Sequence, residues 1–389
     1  MKTQFFKKFF SLGAIVYISL IHSVLAYEVN THEDMSEKAA LSSSLNKYLP
    51  TIGLKSLDEE LGDISAKQSI INWIRKGSYD EDDTFSLNFA RYRNHFYDPL
   101  SGLGLNAAAT GEPSPGWGLE DTQTFATQSY SFRDARQYFY DALTFPNKDN
   151  RDQRMARTFY TLGHVIHLIQ DAAQPQHTRN DSHGGGIFGP PSLYEKWTDH
   201  GTVRPNLPYT GHPPVMFSVA RAFWTNDSGT GLAQFTNRNF VSAGTNFQML
   251  DGQVAANSIY PNPQPTGGEG SIDIQQLFAD EKLPLPRDQN GNLLQGDVVF
   301  IGSSVDGAPN SRASTLSIFD QDLKAYNETI TYDADPLDPG FNAQVTVDRV
   351  FTLNQFNFRA AYPHLIPKAV GYSAGLIDYF FRGKIDLDV

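Results

Sequence analysis

The stretch that most constrains this chain is "RDQRMARTFYTLGHVIHLIQDAA", residues 151–173, followed by Pro175. Its apolar residues recur at helical spacing, which predicts an amphipathic helix that ends before the proline. Within it His167 and Asp171 stand four apart. Positions i and i+4 lie one above the other on a helix, so both side chains can reach a single ion. The Pro-x-His turn can bring His177 back to the same place. An HxxxD pair by itself also fits an ordinary core histidine, so the metal reading depends on further candidates.

The remaining composition limits what such a site can be made of. None of the 389 residues is cysteine. A metal site must therefore use His, Asp, Glu and backbone groups, which are hard or borderline ligands. Residues 1–26 read as a secretory leader: Lys2, Lys7 and Lys8, then the apolar "FFSLGAIVYISLI", then Val24-Leu25-Ala26 as a cleavage site. The apolar run is too short to span a bilayer. The expectation is an exported protein, secreted or periplasmic, that relies on its core or on metals rather than on disulfides. The formal charge is −12 and becomes more negative when three leader lysines leave. That is a poor footprint for non-specific nucleic-acid binding, although it is compatible with a nuclease whose metals hold the phosphate. With 40% hydrophobic residues the chain can bury a sizeable core.

Most of the first half reads as helix. "THEDMSEKAALSSSLNKYL" (31–49) has Thr31 as N-cap, and "SAKQSIINWIRKG" (65–77) has an apolar stripe that ends at Gly77. Residues 101–118 read as a Gly/Pro/Ser-rich loop, 131–145 and 151–173 as two linked helices, and 191–200 as the start of another. In the second half 214–224 looks helical, 296–305 and 343–353 alternate like strands, and 363–383 reads as a closing apolar helix. A weak compositional seam near 201–212 divides a helical core at 27–200 from an α+β elaboration at 201–389.

Further ligand candidates surround the 151–173 run. After cleavage Tyr27 becomes the N-terminal residue, whose amine and carbonyl can chelate a cation, and His32 lies five residues on. "GSYDEDD" (77–83) ends a helix in a clump of acids, "NHFYDP" (94–99) places His95 by a turn, and "NDSH" (180–183) and Glu195 complete the set. Singly, the acid clump fits a solvated helix end and His95 a capped loop. Jointly they fit a metal cluster better.

These motifs resemble the family of zinc-dependent phospholipases C and S1/P1-type nucleases over roughly residues 27–200, with "HFYDP" in the phospholipase-like form. The resemblance implies a mainly α, multi-helix bundle around a cluster of three zinc ions. It puts metal ligands at Tyr27, His32, Asp82, His95, His167, Asp171, His177, His183 and Glu195. Asp82 is preferred in its acidic run because a Glu-Asp pair matches Glu81-Asp82, with Asp80 and Asp83 as alternatives. The family's usual first residue is Trp, here Tyr27. A His normally stands four before the final acid; here that position is Pro191, and His183 is the nearby replacement. His164 reads as a supporting or packing residue. The implied chemistry is phosphodiester hydrolysis by metal-activated water, with Asp171 shared between two cations and Asp82 orienting or deprotonating the water. The expected partner is phospholipid at a membrane surface, with single-stranded nucleic acid as the alternative, and the chain is expected to be a monomer.

Overall fold

The computed structural model describes residues 29–63, 66–82, 91–106, 110–183, 192–242 and 355–382. It also describes short segments at 270–280, 291–293, 297–301, 305–306, 316–319, 330–333, 342–345 and 351–352, and the single residues 285 and 295. The described part is mainly helical. In chain order it has helices α1 (Val29–Ser42) and α2 (Leu45–Tyr48), a hairpin of β1 (Glu60–Asp63) and β2 (Ala66–Ser69), and α3 (Ile70–Asp82). There follow α4 (Ser114–Leu119), α5 (Phe132–Thr144), α6 (Lys148–Asp171), α7 (Pro175–Thr178), α8 (Leu193–Asp199) and α9 (Leu232–Asn239). The closing helix is α11 (Gln355–Phe381).

Helix α6 is central among the described helices. Asn147 caps it by accepting from the Asn150 amide at 3.1 Å. Every residue from Thr161 to Asp171 is buried, because α1, α3, α5 and α11 pack around it. A helix apolar on all sides belongs in a core, and the "VIHLI" run meets that condition. Helix α5 starts in a capping box between Ser131 and Asp134. One hydrophobic cluster takes residues from both sides of position 200: Met35, Ile74, Leu162 and Ile166 pack with Phe223, Trp224, Leu365 and Ile377. Burying each large apolar side chain contributes about 1.5–3 kcal/mol. Trp224 also donates its indole N–H to Leu168 O at 3.1 Å.

Several local expectations change. Thr31 is not an N-cap: the chain is already helical at Val29, and Thr31 Oγ1 donates to Asp199 Oδ1 at 3.1 Å. The expected 65–77 helix begins as strand, since Ala66–Ser69 pairs with Glu60–Asp63, and α3 continues past Gly77 to Asp82. The 101–118 loop contains α4, because proline is well placed in a first helical turn. Residues 214–224 are not one helix. Only Ala220–Phe223 forms a 3-10 turn, and Val215 donates its N–H to Gly371 O of α11 at 3.2 Å. Gly371 and Gly375 permit that approach, since a Cβ on Gly375 would lie 2.0 Å from Val215 O.

In the second half β3 (Gly270–Asp273), β4 (Asp297–Ile301), β5 (Leu316–Phe319) and β8 (Phe351–Thr352) form an antiparallel sheet in that order. Helix α10 (Ile274–Asp280) follows β3, and β6 (Ile330–Asp333) pairs with β7 (Asn342–Val345). Among the described residues no helix is long and apolar enough to cross a membrane.

Candidate metal centre

The buried stripe of α3 changes character along its length. Ile70, Trp73 and Ile74 give way to Gly77 and Ser78, then to Asp80, Glu81 and Asp82, all buried. The same periodicity that seats the start of the helix therefore carries carboxylates into the core at its end. Gly77 and Gly163 let α3 and α6 cross in close contact: a Cβ on Gly77 would lie 1.9 Å from Tyr160 O. At this crossing His167 Nδ1 donates to Ser78 O at 2.7 Å, which leaves Nε2 facing the acids of both helices.

The other segments converge on the same place. The 3-10 turn Tyr92–Asn94 delivers His95. Pro175 does not merely end α6; it starts α7, whose cap Gln174 accepts from the Gln176 amide at 3.0 Å, and His177 sits inside that turn. Ser192 caps α8 by accepting from the Glu195 amide at 3.3 Å, so Glu195 falls in the first turn. The Tyr97 amide donates to His177 O at 3.0 Å and ties the two loops together.

Three buried groups among the described residues could hold metal ions: His32 with His167 and Asp171; Asp82 with His95 and His167; His177 with His183 and Glu195. Asp171 joins them through its two oxygens. Its Oδ2 is 3.2 Å from His95 Nδ1 and 3.5 Å from His167 Nε2. Its Oδ1 is 3.4 Å from His177 Nδ1 and 3.5 Å from His32 Nε2. Asp82 contributes Oδ1 at 3.2 Å from His95 Nδ1 and Oδ2 at 3.3 Å from His167 Nε2. In the third group Glu195 Oε1 is 3.0 Å from His183 Nε2 and 3.6 Å from His177 Nε2.

These spacings fit a shared cation better than a set of mutual hydrogen bonds. Both oxygens of Asp82 and of Asp171, both nitrogens of His95, His167 Nε2 and His177 Nδ1 are buried without a hydrogen-bond partner. Buried polar atoms are seldom left so. Their approaches of 3.2–3.5 Å are close, yet none of them is a hydrogen bond. Neighbouring ligands of a tetrahedral ion bound at about 2.0–2.1 Å stand about 3.3 Å apart. The nitrogen and oxygen donors, without sulfur, suit a hard or borderline divalent cation.

The electrostatics reflect crowded charge. Burial would raise the pKa of Asp82, but His167 and His95 outweigh it and hold the carboxyl far below its usual range. Asp171 is raised by burial. Burial pushes His32 and His177 well down, helped by His167 and His183 respectively. Burial also acts to lower His95, but Asp171 and Asp82 push it well up. His183, opposed by burial, is raised to about 9 by Glu195.

A surrounding shell orients these rings. His32 Nδ1 bonds Gln170 Oε1 at 2.6 Å, and Gln170 is set by donating to Ser36 Oγ at 2.8 Å. His183 Nδ1 donates to Asp181 O at 3.0 Å. Gln174 Nε2 donates to Glu195 Oε1 at 2.5 Å. His164 bonds Glu81, and Glu81 is paired with Arg91. Sequence reasoning did not single out Gln170, Gln174, Glu81 or Arg91 as supports. The one available signal was Gln170 in the fully buried last turns of α6, beside Asp171.

Of the nine expected ligands, the structure brings together His32, Asp82, His95, His167, Asp171, His177, His183 and Glu195. Tyr27 lies outside the described residues, as do Asp83 and Pro191. Asp80 turns elsewhere, to Lys76 at 2.6 Å and the Tyr160 hydroxyl at 2.7 Å. His183 lies beside Glu195, its Nε2 3.0 Å from Oε1. Neither a comparison with protein-family models nor one with curated proteins finds a match to this chain.

Proposed function

We propose that this chain is an exported zinc-dependent phosphodiester hydrolase of the phospholipase C kind, which splits the glycerol-side phosphodiester bond of phospholipids such as phosphatidylcholine. The observation that carries the reading is Asp171, a fully buried carboxylate whose Oδ2 faces His95 and His167 while its Oδ1 faces His32. In the multi-helix phospholipase C/P1 type of bundle, three zinc ions would then be held as follows. Asp82, His95, His167 and Asp171 Oδ2 hold one; His177, His183 and Glu195 hold the second; His32 and Asp171 Oδ1, with the mature N-terminus at Tyr27, hold the third.

Cations so held supply Lewis acidity, making a water reactive near neutral pH and neutralising phosphoryl charge. The protein's share is geometric. Ser78 O fixes the His167 tautomer, Gln170 fixes His32, and His167 and His95 keep Asp82 ionised, the form in which a carboxylate binds a cation and orients a water. A purely structural role fits less well. Structural zinc sites are often built from thiolates, and this chain has no cysteine. The acidic chain favours lipid over nucleic acid, while the short Tyr27–His32 spacing is the nuclease-like feature.

The test is metal content of the mature protein, then phosphocholine release from phosphatidylcholine beside hydrolysis of single-stranded DNA. Near three zinc per chain with lipid turnover alone is expected. DNA turnover alone makes the chain a nuclease, and activity that survives both a chelator and His167→Ala sinks the metallohydrolase reading.

A further inference from the structure

Glu81, next to Asp82 in the last turn of α3, is buried as deeply as its neighbour, yet it keeps different company. Arg91 Nη2 lies 2.6 Å from its Oε2 and 2.9 Å from its Oε1, and Arg91 Nε lies 3.2 Å from Oε2. Arg91 is itself only 4% exposed. Its guanidinium carbon sits between two aromatic faces, 5.1 Å from the Trp117 ring centroid and 5.4 Å from that of Tyr130. It donates a further hydrogen bond to Gln128 Oε1 at 3.0 Å. His164 bonds Glu81 Oε2, and its ring stacks on Tyr130 at 4.2 Å.

A buried ion pair is a poor source of stability, since replacing it with packed apolar groups is often neutral or better. What this pair can do is fix an atom in place. That atom is Glu81 Oε1, which stands 3.5 Å from His95 Nε2, a buried nitrogen in ion-pair range of it but with no hydrogen bond formed. The opposite nitrogen of the ring, Nδ1, is 3.2 Å from both Asp82 Oδ1 and Asp171 Oδ2. An imidazole that gives one lone pair to a cation carries its proton on the other nitrogen. Glu81 and Arg91 also stand on either side of residues 83–90, so their pairing ties the end of α3 to the turn that bears His95.

We propose that Glu81, clamped by Arg91, is a positioning residue for the group formed by Asp82, His95, His167 and Asp171: it accepts the Nε2 proton of His95 and so aims Nδ1 at the cation. The inference rests on the reading that these four residues hold a divalent metal. Glu81 binds no ion itself. It acts through His95, as carboxylates behind metal-bound histidines do. The clamp also selects the tautomer: without an ionised acceptor behind it, the ring is free to carry its proton on Nδ1, where it blocks the ligand atom.

The experiment uses the full mature chain as wild type, Glu81→Leu, and the double variant Glu81→Leu/Arg91→Met, because a glutamine carbonyl would still accept the His95 proton. The single variant strands the Arg91 charge in the core and is expected to lose stability, so the double variant, which leaves no lone charge, carries the test. Zinc affinity is read by competition with a chromophoric chelator, and the Co(II)-substituted protein is read by its visible absorption. In the double variant one bound zinc is expected to weaken by about tenfold to a hundredfold while the others hold, and the cobalt band is expected to change in shape. Unchanged zinc affinity and an unchanged cobalt spectrum would overturn the proposal. A wild type that binds no divalent metal overturns the underlying reading instead, so the wild-type arm separates the two failures.

Discussion

Gly163 of α6 lies so close to α3 that a Cβ on it would sit 2.9 Å from Gly77 Cα and 2.2 Å from Ile74 O. The contact is backbone against backbone, so no side chain can swing aside to relieve it. One residue past Gly77, Ser78 O receives the His167 Nδ1 proton. The crossing therefore sets both the separation of the two helices and the tautomer of a site histidine. Gly163→Ala is expected to cost about 1–3 kcal/mol or more through overpacking and to lose bound metal. Gly116→Ala, where nothing lies within 4 Å, is expected to be neutral or slightly stabilising. Urea unfolding and metal analysis of both variants check this.

Asp171→Asn and Glu195→Gln are expected to differ in the number of ions they lose. Asp171 faces His95 and His167 with Oδ2 and His32 with Oδ1, whereas Glu195 faces only His177 and His183. Metal counting after dialysis should therefore show more than one equivalent missing from the Asp171 variant and one missing from the Glu195 variant. Equal losses contradict the bridging geometry.

Gln174 donates to Glu195 Oε1 at 2.5 Å and to Ser192 Oγ at 3.2 Å, and its own carbonyl caps α7. Gln174→Ala is expected to weaken a single metal position by about tenfold to a hundredfold. Titration with a competing chelator measures it, and the positions built on Asp82 and His32 should not move.

The metal-free protein should lose stability in acid in a defined window. Burial alone would raise the Glu81 pKa, but Arg91 and His164 hold it well below the ordinary value of 4.5. A depressed carboxyl stabilises the fold above its unfolded pKa, and that contribution is lost as pH falls through the folded value. The stabilisation from Glu81 should thus be complete above pH 4.5 and decline below it. Urea midpoints of the chelated protein from about pH 6 down to 3 test the slope, which should be shallower in Glu81→Leu/Arg91→Met.

Legibility followed the range of the interaction. His167 and Asp171 could be paired from the chain alone because helical geometry is local and i to i+4 is one turn. The helices at 131–145 and 151–173 were readable for the same reason, with caps and apolar spacing written into consecutive residues. The hairpin at 60–69 was not, because Ala66–Ser69 is strand only through its partner Glu60–Asp63. Residues 214–224 look helical in the chain but are not one helix, because Val215 bonds Gly371 O of α11, whose glycines admit the close approach.

The sequence by itself determined which residue types a site could use, since a chain without cysteine must ligate through nitrogen and oxygen, and it determined which of those residues share a helix. Only the tertiary structure decided how they meet. The convergence of Asp82, His95, His167 and His177 on Asp171 depends on the contact at Gly77 and Gly163 and on loops that close around it. The Arg91–Glu81 clamp joins groups with no periodic relation in the chain. Local spacing fixes direction within one element; the distance between elements is set by packing, which no short pattern contains.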